Sequence, residues 1–95
     1  MPGIRHYEAV CDEIIRLLQQ ERKRQKLSNY EVSQRSGVSE SMLSLVERGL
    51  RNPTLELVLR IADGIGADFP ALIKLAENKV IEESKKSRMP RKSVP

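Results

Sequence analysis

Cys11 and His6 are the only cysteine and the only histidine in the 95-residue chain, and they set the limits of its covalent and metal chemistry. A structural zinc site takes four such ligands and a disulfide takes two thiols, so neither can be assembled within one copy. A Ser-His-Asp arrangement would have to use His6, close to the amino end, and no serine sits in the glycine-flanked elbow that exposes a nucleophile. Nothing points to an enzyme, a cofactor, a metal or a small-molecule substrate. The residues that stand at working distances are hydrogen-bonding ones, Ser28 with Glu31, then Ser39, then Asn52 and Thr54, interleaved with Arg48 and Arg51. Their types and spacing suit helix capping and polar contacts, not bond breaking.

Those caps must sit on helices. Ser28 and Glu31 have the S-x-x-E spacing in which hydroxyl and carboxylate satisfy each other's backbone amides, so a helix begins at Asn29 and runs to Ser36. Gly37 supplies the left-handed exit, and Ser39 caps the next helix, Glu40 to about Arg48. The turn is about three residues long, as in a helix-turn-helix. Gly49 closes the second helix, and Asn52, Pro53 and Thr54 form a turn whose last residue opens another.

Periodicity supplies the remaining elements. From about Tyr7 to Gln25, Val10, Cys11, Ile14, Leu17 and Leu18 fall on one side of a first helix, with Asp12, Arg16, Gln19 and Lys23 facing away. Leu27 bridges into the second helix, where Val32 and Ser33 face the core, and Leu43 and Val46 point inward from the third. A fourth helix opening at Thr54 buries Leu55, Val58, Ile61, Ala62 and Ile65, and leaves Leu57 and Leu59 as additional apolar surface. Asp68 caps a fifth, with Pro70 in its first turn. The low aromatic content of 3% and the absence of strict alternation give an all-α fold.

Gly37-Val38-Ser39 through Leu43, Val46, Glu47, Gly49, Asn52 and Pro53, preceded by Leu27-Ser28 and Val32, resembles the Cro and phage-repressor-type (XRE-like) helix-turn-helix regulators. The resemblance spans roughly Ile14 to Leu72. It implies a five-helix lambda-repressor-like DNA-binding domain with the motif at helices 2 and 3, and double-stranded DNA as partner. It places base-reading candidates at Glu40, Ser41, Ser44 and Leu45, with Met42 near the groove wall. This set lacks the usual Gln, Asn, Arg or Lys; glutamate can accept from cytosine N4, serines bond several base edges, and Leu45 can meet a thymine methyl. Phosphate contacts are expected from Asn29 and the first amides of helix 2, and from Arg48, Arg51 and Asn52, with Arg35 second in rank. The resemblance also implies an ion pair between Arg22 and Glu47, tying helix 1 to helix 3. At Ser33 the family usually has alanine.

Charge is unevenly spread. Residues 84–95 hold five of the 17 basic residues and no acid, leaving 12 basic and 13 acidic residues on 1–83. Attraction to phosphate must therefore come from local clusters such as Arg22, Lys23, Arg24 and Lys26, or from the tail. The expected organisation is a folded domain over 1–83, with residues 1–5 an ill-ordered lead, and a basic disordered tail over 84–95. No apolar run is long enough to span a bilayer and Met1 to His6 lacks a signal-peptide core, which makes the cytoplasm the default and a membrane no partner.

A module this small buries little surface on DNA, so a homodimer on two half-sites is expected, with Leu72, Leu75, Ala76 and Val80 of helix 5 as its interface. Ile73 and Ile81 fall on another face of that helix. The function expected is a sequence-specific transcriptional regulator acting as a repressor. The alternatives are a protein–protein interaction module, or an antitoxin or restriction-modification controller built on the same fold.

Overall fold

A computed structural model describes the backbone of residues 3–88 and the side chains of residues 6–85. Its elements are α1 (Gly3–Arg24), α2 (Asn29–Ser36), α3 (Glu40–Glu47), α4 (Leu55–Ile65) and α5 (Phe69–Arg88), with no strand among the described residues. The all-α, five-helix expectation holds. No helix is long and apolar enough to cross a membrane among the described residues.

The short helices start and stop where their caps say. Ser28 Oγ accepts the Glu31 amide at 3.0 Å, and the Glu31 carboxylate accepts the Ser28 amide at 2.9 Å, completing the capping box of α2. Gly37 takes φ +75, the left-handed conformation that a side chain would strain. Ser36, buried beside it, accepts the Val38 amide at 3.1 Å, so the turn satisfies itself before Ser39 caps α3 through the Met42 amide. Thr54 and Asp68 cap α4 and α5 in the same way, through the amides of Leu57 and Ala71.

One exit carries no sequence signal. Lys26 adopts φ +59, and α1 ends there with the Leu27 amide bonded to Arg22 O and the Lys26 amide to Lys23 O, both at 3.0 Å. That pair of bonds is the Schellman arrangement, with lysine in the place glycine usually takes. It turns Leu27 into the core.

Leu18, Leu27, Val32, Val38, Leu43, Val58, Ile61, Ala62 and Ile65 form one buried cluster, flanked by half-buried Ile14, Ile15, Met42, Leu57, Phe69 and Leu72. α2 crosses α4 at its closest where Ser36 meets Gly64. A Cβ on that glycine would lie 3.0 Å from the Ser36 Cβ, so only a residue without a side chain lets the helices approach this far.

Several expectations need correcting. Leu55, expected in the buried stripe of α4, is 68% exposed, because it is the first helical residue and projects beyond the core. Cys11 is exposed, while Ile15 takes its place against the core. Met42 is half-buried and packs on the core. Leu57 packs there too, leaving Leu59 as the exposed leucine in the middle of α4. α1 begins at Gly3, within the segment expected to be an ill-ordered lead. α5 continues through Ser84 to Arg88, past the expected domain boundary, since no glycine or proline interrupts it between Pro70 and Pro90. The rest of the expected tail, residues 89–95, lies outside the described residues.

The expected dimer stripe on α5 is the largest correction. Ala76 is 0% exposed and Val80 9%, and Leu72 packs against the core cluster. α5 lies along α1, tied to it also by Lys79 to Glu13 at 3.6 Å. Of the four expected interface residues, only Leu75, 56% exposed, faces outward.

Candidate nucleic-acid interface

An eight-residue helix presents one arc to its protein and one to its surroundings, and in α3 the fully buried and the fully exposed residues fall on opposite arcs. At about 100° per residue, Glu40, Ser44, Ser41 and Leu45 fall within an arc of about 140°, while Met42, Val46, Leu43 and Glu47 fill the opposite one. Burial follows that division: Leu43 and Val46 are buried, Glu40 and Ser41 exposed, and Ser44 and Leu45 half-buried a turn further on. All four base-reading candidates therefore share one side. Ser39 accepts the Met42 amide, leaving the first amides of α3 beside Glu40 and Ser41 at the helix's positive end.

The carboxyl end of α3 is held by the expected ion pair. Arg22 Nε donates to Glu47 Oε2 at 2.7 Å and Nη2 to Oε1 at 3.1 Å, a two-bonded fork. Its remaining nitrogen, Nη1, donates to Leu27 O at 2.8 Å, so one guanidinium links α1, the turn before α2 and α3. The side chains are 14% and 16% exposed. Gln19 adds a third donor, Nε2 to Glu47 Oε1 at 3.3 Å. Gln19, expected on the outer face of α1, instead shares a face with Arg22, and the i, i+3 spacing of the two is the signal in the sequence that points to it.

The phosphate candidates divide. Arg48, Arg51 and Asn52 are exposed around one groove of about 320 Å³ between the α3–α4 turn and α1. Asn29 does not join them: its side-chain oxygen is buried without a hydrogen-bond partner, beside Gln19, Arg22 and Glu47. At the start of α2 the Glu31 carboxylate already occupies the Ser28 amide. Its carboxyl is held below the ordinary 4.5, first by that backbone bond, with a further pull from the Ser28 hydroxyl. Tyr30, exposed on the first turn of α2, and Leu50, exposed after α3, are surface residues the sequence did not single out.

Charge pairing separates the cations. Arg16, Arg22, Arg24, Arg60 and Lys79 have carboxylate partners within 4 Å, whereas Arg35, Arg48, Arg51, Lys23 and Lys26 have none among the described residues. Cations without an internal partner are the ones free to meet phosphate. Of the cluster expected at Arg22 to Lys26, Arg22 and Arg24 are thus already engaged.

A family model described as Helix-turn-helix matches residues 18–77, from the last third of α1 into α5. The chain belongs to the helix-turn-helix family. As a member of it, the chain is a DNA-binding protein of the transcription-regulator type, with α2 and α3 as its two motif helices. The helix-turn-helix chain is also similar to an uncharacterized HTH-type transcriptional regulator, y4dJ, of Sinorhizobium fredii. The two are 38% identical over 52 residues, which cover 55% of this chain and 68% of that protein. No solved structure matches the chain. The family match leaves out about the first two thirds of α1 and the second half of α5, so part of the α1–α5 packing lies outside it.

Proposed function

We propose that this helix-turn-helix protein is a sequence-specific repressor that places α3 in the major groove and binds a two-half-site operator as a homodimer in the cytoplasm. The outward arc of α3 carries this reading: Glu40, Ser41, Ser44 and Leu45 stand on one side of a helix whose far end is fixed by Arg22, with unpaired Arg48 and Arg51 next to it. A helix of about 10–12 Å diameter fits the major groove, and its amino end supplies the residues that reach base edges. Ser41 and Ser44 read hydrogen-bonding edges, Glu40 accepts from a cytosine amino group, and Leu45 covers a thymine methyl. Arg48, Arg51 and Asn52 hold phosphates and set the register.

Selection of duplexes from a random pool, followed by titration over a range of salt, tests this. A consensus with two spaced half-sites is expected. Ser41→Ala with Ser44→Ala narrows the gap between selected and random duplexes, whereas Arg51→Ala weakens both alike and lowers the salt slope by about 0.9. Affinity that is the same for selected and random duplexes in the unaltered protein would reject the reading.

A further inference from the structure

Glu47 ends α3 with a carboxylate that takes donors from two successive positions on one face of α1. Arg22 supplies the fork, and Gln19, one turn earlier, supplies an amide proton to Oε1 at 3.3 Å. We propose that Gln19 is a positioning residue for base discrimination, setting the tilt of α3 without touching DNA. The inference rests on α3 being the reading helix.

Leverage is the reason. A planar fork fixes a carboxylate well within its own plane, but a single pair leaves rocking about the line joining its two partners. A second anchor one turn along α1 removes that rocking. Glu40 and Ser41 lie at the opposite end of α3, about 10 Å from Glu47. A rocking of about 5° at Glu47 then moves the amino end of α3 by about 1 Å, beyond the roughly 0.5 Å within which a recognition group must be held. The Gln19 bond is longer than those of the fork and its donor is neutral, so it contributes little to stability beside its effect on aim.

The test uses the full chain and its Gln19→Met, Gln19→Glu and Gln19→Lys variants. Each is titrated, across a salt series, with a duplex selected from a random pool by the unaltered protein and with single-base-pair changes of that duplex. Gln19→Met matches the length but donates nothing: discrimination between the selected and altered duplexes falls about fivefold, while Tm stays within about 3 °C and the salt slope is unchanged. Gln19→Glu sets a like charge against Glu47 and loses more. Gln19→Lys restores a donor and recovers the discrimination ratio, its salt slope accounting for the added cation. If the unaltered protein discriminates and Gln19→Met matches it, the role assigned to Gln19 is wrong while α3 still reads DNA. The same holds if Gln19→Met weakens every duplex equally in step with a lower Tm. If the unaltered protein shows no discrimination, both inferences fall together.

Discussion

Arg22 satisfies three acceptor sites with one guanidinium, and what its loss would do depends on which partner is left behind. Removing Arg22 leaves the Glu47 carboxylate, 16% exposed, with only the Gln19 amide and leaves Leu27 O without its donor; removing Glu47 leaves a guanidinium still bonded to Leu27 O. A fully buried pair broken on one side costs about 3–5 kcal/mol, and partial exposure here brings the expected cost to about 2 kcal/mol. Arg22→Met is therefore expected to lower the urea midpoint more than Glu47→Leu. The double variant should be less destabilised than the two singles added together, a coupling that a double-mutant cycle in urea reads directly. Additive losses would mean that the pair is not coupled. This pairing was legible in the sequence because Arg22 and Glu47 both match positions of a recognisable motif. Gln19 was not, because amphipathic periodicity sorts polar residues outward by type and does not see that one of them has a charged partner on another helix.

Helices α2 and α3 were legible almost to the residue, since their boundaries are written in side chains: Ser28 with Glu31, Gly37, Ser39. Where the boundary chemistry is unusual the sequence was silent, as at Lys26, which turns left-handed without being glycine, and at Ser84–Arg88, where a charge run that reads as a tail continues a helix. The capping box also gives α2 a dependence on acid. Glu31's carboxyl lies below 4.5 in the folded chain because it accepts the Ser28 amide, so the folded state binds its proton less readily than the unfolded state does. The stabilisation is fully present above pH about 4.5 and is lost as the pH falls through the lower folded value. Glu21 acts in the same direction, pulled to about 2 by the hydrogen bond from Arg24 and then by that from Gln25. Urea midpoints measured from pH 6 to 2 should fall on the acid side. Glu31→Gln, whose amide oxygen still accepts the Ser28 amide but does not titrate in this range, should flatten part of that fall. Ser28→Ala should lower the unfolding free energy at every pH by about 1 kcal/mol, read as a lower urea midpoint. An acid limb unchanged by Glu31→Gln would show that the box contributes nothing to it.

At the scale of the whole molecule the question is which surface is left over for a second copy. Leu72, Ala76 and Val80 repeat every fourth residue along α5, and α1 already covers them. The sequence showed an apolar stripe but not what covers it, because a stripe at helical spacing looks the same whether its partner is another helix of the same chain or of a second one. What remains outward on α5 is Leu75, 56% exposed, and Ile81, 42% exposed. A homodimer built on α5 must use these, and that separates two classes of substitution. Ala76→Asp buries an unpaired charge between α1 and α5 and is expected to unfold the monomer, with loss of helical signal at 25 °C. Leu75→Asp with Ile81→Asp adds charge to a surface that is solvated in the monomer, so helical content and Tm are retained. Sedimentation equilibrium at micromolar concentration should then shift from dimer to monomer, and affinity for a two-half-site duplex should drop towards that for a single half-site. If the unaltered protein sediments as a dimer and the variant does too, the contact lies away from α5; if the unaltered protein sediments as a monomer, the proposed homodimer falls. If the paired aspartates unfold the chain as Ala76→Asp does, Leu75 and Ile81 belong to the packing of the monomer and are not free to meet a second copy.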